Sequence, residues 1–165
     1  VSKKFATVSA LQGHLKTTIM EAIQNKIAEI CMRVVRDKLL ETVYHKYIPQ
    51  GDLAYDRTYE LMDSVTVGNF QMGYKYATFE IFMDTNKINP YSTGEGEWNQ
   101  HADMGYEQDV SEYIPLWVEE GTEGSLWDRE GAHYMEKSHY ELEGSLHQAL
   151  ARELRGEGWD VTLIS

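Results

Sequence analysis

"GHLKTTIMEAIQNKIAEICMRVVRDKLLETVYHKY", residues 13–47, contains no proline and no glycine after its first residue. Within it Ile19, Ile23, Ile27, Ile30 and Val34 recur at three- and four-residue steps, the spacing of one side of an amphipathic helix. Turned at about 100° per residue, Leu40, Val43, Tyr44 and Tyr47 fall on a different side, so the apolar face is expected to rotate near residues 35–37. No breaker residue marks a kink there. One continuous helix is therefore predicted, occupying most of residues 1–48, its C-terminal half packed in its own domain and its N-terminal half offered to a neighbour. A helix of roughly 35 residues is about 50 Å long, more than a domain of this size covers. Oligomerisation is the natural remedy, and the five-residue apolar row is the candidate interface.

Working outward, "IPQGD" ends the helix with Pro49 and Gly51, and Asp52 suits the cap of a short helix through Met62. From Ser64 the period changes to two. "SVTVGNF" and "YKYATFEIFMD" read as strands joined through "QMG", with Ala77, Phe79, Ile81 and Met83 on one face and Thr78, Glu80, Phe82 and Asp84 on the other. Residues 85–109 form a long polar loop. "SEYIPLWVEEG" suits a short helix begun by Ser111 and Pro115, with Ile114, Trp117 and Val118 as its apolar side and Gly121 as its stop. A last helix, weakened at Gly144 by about 1 kcal/mol relative to alanine, and a final strand in "GEGWDVTLIS" complete the order. The fold class expected is α+β: a long N-terminal helix, a small, mostly antiparallel sheet, a C-terminal helix and a short final strand. With 165 residues, 42% of them hydrophobic, one domain spanning 1–165 is expected, with residues 49–165 forming the sheet, loops and C-terminal helix.

Charge is unevenly distributed over the net −12. Residues 1–50 hold eight Lys and Arg against four Asp and Glu, while residues 51–165 hold seven against twenty-three. Gly94 to Glu130 alone carries eleven acids and one base, Arg129, which calls for exposure to water or to a basic partner. Such a surface repels nucleic-acid phosphates. No run of about 18 apolar residues exists, so no membrane span is expected. The opening residues lack the apolar core of a secretion signal, and a cytoplasmic origin is expected. Cys31 reads as a small buried hydrophobe.

Signals for chemistry are weak. His133, His139 and His147 are spaced six and eight apart, unlike the i, i+4 pairs of helical zinc sites. Glu119 and Glu120 diverge by about 100° on a helix and do not face each other as paired catalytic carboxylates do. There is no phosphate-binding glycine loop and no nucleophile elbow. No catalytic residue, metal or cofactor is expected. The aromatics are more suggestive: Trp98, Tyr106, Trp127 and Tyr134 lie in or beside loops, where they mark protein contacts, and Trp98 and Trp127 join the candidate interface.

In order along the chain, the N-terminal helix, "YDRTYELMDSV" (Tyr55–Val65), the strands ending "IFMD", "IPLWVEEG" and "YMEKSHYELEGSLHQALARELRGEGWDV" resemble the tail-completion, or head-to-tail joining, proteins of long-tailed bacteriophages, a minor tail component in lambda-like phages. The acidic loop from Thr85 to Asp109 departs from that pattern. The resemblance implies a structural virion protein of the neck, a homo-oligomeric ring, typically a hexamer. Such a ring meets a head-side connector or stopper protein on one face and a tail terminator or tube protein on the other. DNA passes through without specific binding, and Glu95, Glu97, Asp103 and Glu107 are candidates for lining the channel. Within "YDRTYELMDSV" a structural corner is expected: Arg57 pairs with a carboxylate or with backbone carbonyls, Tyr59, Leu61 and Met62 supply packing under the sheet, with the choice of which points inward left open, and Ser64 begins the strand. Two rival readings are an acidic DNA-mimic inhibitor of a nucleic-acid-binding enzyme, suggested by the acids of 94–130, and a carboxylate hydrolase dependent on Glu119 or Glu120.

Overall fold

The computed structural model describes residues 4–46, 59–74, 76–88, 111–123 and 129–163. Arg57, Trp98, Trp127, Glu95, Glu97, Asp103 and Glu107 lie outside the described residues.

The N-terminal helix runs unbroken from Val8 to Tyr44, as α1 (Val8–Ala22), a π-turn (Ile23–Ile27), α2 (Ala28–Leu39) and a second π-turn (Leu40–Tyr44). Thr7 opens it, its hydroxyl accepting from the Ala10 amide at 3.1 Å. The buried row is Ile23, Ile27, Cys31, Val35, Leu39 and Val43, every fourth residue. On an α-helix each such step overshoots a full turn by about 40°, so a strict four-residue row winds around the rod. A π-turn accommodates an extra residue and takes back part of that drift. The expected rotation of the face at 35–37 is thus replaced by phase corrections at the two π-turns. Ile30 and Val34 flank the row half-buried, and Cys31 and Val35 take the buried positions instead.

Residues 59–63 turn the chain into the sheet through α3 (Glu60–Asp63), a single turn where a helix from Asp52 was expected; 52–58 are outside the described residues. β1 (Val65–Met72) and β2 (Ala77–Met83) pair antiparallel, Val65 opposite Met83 and Val67 opposite Ile81. The predicted alternation holds: Ala77, Phe79, Ile81 and Met83 are half-buried, whereas Thr78, Glu80 and Phe82 face water. A bulge interrupts the ladder between Gly68 and Gln71, where Asn69 adopts positive φ and its amide reaches Glu80.

The sheet lies across α2, and the core gathers Val35, Leu39 and Val43 from the rod, Leu61 and Val65 from the corner, Ile88, Val118, Ala132 and Tyr134. The C-terminal segment is two helices, α5 (Tyr134–Glu143) and α6 (Leu146–Gly156), rather than the single one expected. Ser145 closes the break, its amide on the Leu142 carbonyl at 3.0 Å and its hydroxyl on the Glu141 carbonyl at 3.2 Å. The break redirects the chain down the rod: α5 packs on α2, α6 on α1 and the first π-turn. Lys38 bridges the layers between Glu41 (3.1 Å) and Glu141 (2.9 Å).

No strand follows α6 among the described residues. The helix stops at a Schellman turn, with Gly158 at φ 89°, its amide on the Arg155 carbonyl and the Trp159 amide on that of Leu154. The Arg155 guanidinium then donates to the Val161 carbonyl from Nε (3.2 Å) and Nη2 (2.6 Å). Trp159 ends beside His14, near the start of the rod, while the β1–β2 sheet lies across α2, so among the described residues that sheet offers it no edge.

Candidate functional site

Two regions carry expectations from the sequence: the corner and "IPLWVEEG". At the corner Leu61 and Ser64 are buried as expected. The Ser64 hydroxyl donates to the Leu61 carbonyl at 2.7 Å, and its own carbonyl accepts from the Asp84 amide at 2.8 Å, which ties the entry of β1 to the exit of β2. Tyr59 differs from expectation. Held at φ 59°, it stacks on Tyr44 at 4.5 Å and stays largely exposed rather than packing under the sheet. The cation that serves the corner is Arg36, whose Nε donates to the Met62 carbonyl and Nη2 to the Val65 carbonyl, each at 3.3 Å. Arg57, the cation assigned to the corner from the sequence, lies outside the described residues.

α4 (Ile114–Glu120) matches its predicted span: Pro115 sits in the first turn and Gly121, at φ 91°, stops it. Its inward side is Pro115 and Val118. Trp117, expected to face inward, instead stacks on Tyr113 at 5.9 Å, and the outward face shows Tyr113 (51% exposed), Leu116 (49%) and Trp117 (40%). These residues are three and four apart and form one surface.

That surface is fixed from beneath. The Glu119 carboxylate accepts from the Met135 amide at 3.0 Å and the Glu136 amide at 3.2 Å. α5 starts from His133 at φ 51° without a side-chain cap of its own, so Glu119 supplies the anion that a helix N-terminus favours. The Ala132 amide bonds the Val118 carbonyl at 2.9 Å and the His133 amide the Glu119 carbonyl at 3.0 Å. A Cβ on Gly131 would stand 2.6 Å from that same carbonyl, so only glycine permits the approach. Beyond it β3 (Gly121–Thr122) pairs with β4 (Arg129–Glu130), and Lys46, just past the rod, meets Glu130 at 3.0 Å. Tyr134 is buried, its hydroxyl donating to the Pro115 carbonyl at 3.3 Å, and desolvation followed by the nearby Glu119 charge pushes its pKa up. Glu119 is thus committed to holding α5.

Among the described residues no group of three or more His, Cys, Asp or Glu gathers for a metal, and no helix is long and apolar enough to cross a membrane. Of the candidate interface residues, Ile23 and Ile27 are buried inside the chain because α6 covers the first π-turn. Ile19, Ile30 and Val34 remain partly exposed. The family model YomN matches residues 7–156. The chain belongs to the YomN family. The YomN match spans the rod, the corner, the sheet, α4 and both C-terminal helices, and it makes the protein phage-related. No curated protein and no solved structure matches.

Proposed function

We propose that this chain is a non-enzymatic structural component of the phage particle, forming a ring at the neck that joins the head connector to the tail tube around the DNA channel. The observation that carries the reading is the α4 face: three large side chains held out in water on a helix whose position Glu119, Gly131 and Tyr134 make rigid. Rigid, outward aromatic groups are the usual anchors of protein interfaces. The phage-related family supplies the setting in which such an anchor is used. The commitment of Glu119 to the amides of α5 supports a structural role over carboxylate hydrolysis. In this reading the partners are further copies of the chain, six being the number implied by the resemblance, a head-side connector or stopper, and a tail terminator or tube protein.

The test is genetic. Interrupting the reading frame in the phage is expected to give DNA-filled heads and complete tails that fail to join, with the chain detected by mass spectrometry in wild-type particles. Infectious, joined particles without the protein would overturn the proposal.

A further inference from the structure

We infer that copies of this chain associate head to tail, the exposed start of α1 in one copy seating on the α4 aromatic face of the next. The inference rests on the proposed self-assembling role and names the surfaces that would make it. At the start of the rod, Val8 (72% exposed) and Leu11 (38%) lie three residues apart on one face, and the exposed Phe5 packs on His14 at 5.2 Å one turn beyond Leu11. Residues 4–20 contain Lys4 and Lys16, both exposed, and no acid. The α4 surface has the opposite character. Around Tyr113, Leu116 and Trp117 stand Glu112, Glu120 and Glu123, all exposed, and residues 111–123 contain no Lys or Arg.

Apolar meets apolar, and Lys4 and Lys16 of one patch meet the carboxylates of the other, which favours this pairing over pairing the acidic α4 patch with itself. The two patches cannot meet within one copy. Val118 of α4 shares the core with Val35, and the 27 residues from Val8 to Val35 make roughly 40 Å of helix. Surfaces at opposite ends of one rod give a heterologous contact, the kind that closes into a ring when the rotation between copies allows it.

The experiment uses two full-length variants, one with Val8→Glu and Leu11→Glu, the other with Leu116→Glu and Trp117→Glu. Light scattering follows mass over a rising concentration series, with circular dichroism confirming that both fold. The wild type is expected to grow in mass with concentration, and each variant to remain a monomer. An equimolar mixture should form one dimer and stop, since each variant keeps the half the other lacks. The milder reversals Lys16→Glu and Glu120→Lys should each weaken association about tenfold, and mixing the two should restore it, because each variant keeps intact the patch that the other has reversed and the two reversed patches again carry opposite charges. Monomers in the equimolar mixture, variants that assemble like the wild type, or a wild type that stays monomeric to millimolar concentration would each overturn the inference. Purified phage particles are probed separately: the chain present in particles while both variants assemble normally removes this pairing alone, whereas absence from particles removes the neck reading and leaves the solution pairing intact.

Discussion

The two halves of the long helix obey the same backbone rules and live in different surroundings. α2 is enclosed: the sheet and α5 pack on it, and its row Val35 and Leu39 enters a core that also takes in Val118 of α4. Among the described residues α1 is covered mainly by α6, with Trp159 beside His14, and its first turns leave Val8 and Leu11 in water. The difference teaches that one helix can be both core and arm. The buried half fixes the orientation of the rod, and the open half is carried by it, because an isolated helix of this length is marginal in water.

The largest effect that tests this contrast is Leu39→Ala. It should cost about 2–5 kcal/mol in chemical denaturation, since Leu39 is wholly enclosed and its loss leaves a cavity. Leu11→Ala should change monomer stability by less than about 0.5 kcal/mol. Equal losses at the two positions would erase the distinction between core and arm. Next comes Arg36→Ala, which removes a charged donor from the Met62 and Val65 carbonyls and should cost about 2 kcal/mol in the same assay. Were stability unchanged, the rod would not be what holds the corner.

Smaller is Glu119→Ala, expected to cost about 1 kcal/mol through loss of the anion at the start of α5. Glu119→Gln should recover part of it, and hydrogen exchange at the Met135 and Glu136 amides reports the change directly. A separate, pH-dependent effect concerns Cys31, whose thiol pKa burial pushes up from 9.0 to about 11. The folded state therefore keeps its proton between those values while the unfolded state releases it, so unfolding free energy should fall as pH rises from about 9 to 11. The difference between wild type and Cys31→Ala across that interval measures it, and a flat difference would mean that this part of the row is open to water.

The rod, the hairpin alternation and α4 with its proline start and glycine stop were all legible because each is a local pattern. What escaped is non-local. Arg36 reaches carbonyls 26 and 29 residues away, and a carbonyl has no signature in a sequence, so nothing in the local pattern marks Arg36 as a corner residue. Helical spacing argues against Glu119 as half of a catalytic pair but does not give its role, since nothing in "WVEEG" reveals that its carboxylate lies across the start of another helix. Trp117 was assigned inward on helical spacing alone, which ranks it beside Val118 without saying that Pro115 takes the inner place. The final strand expected in "GEGWDVTLIS" needs a partner edge, and the break at Gly144–Ser145 sends α6 and Trp159 toward the start of the rod.

The π-turns at Ile23–Ile27 and Leu40–Tyr44 each hold one residue more than an α-helix needs, the Ala28 amide reaching back to Ile23 and the His45 amide to Leu40. They are splice points in the rod. Excising a single residue there, Asn25 for instance, lets the hydrogen-bond ladder close in ordinary α form while both flanks keep their facing, whereas the same deletion at Val34 would swing everything beyond it by a quarter turn or more. Changes in length along this helix during evolution are therefore expected to be confined to those two places.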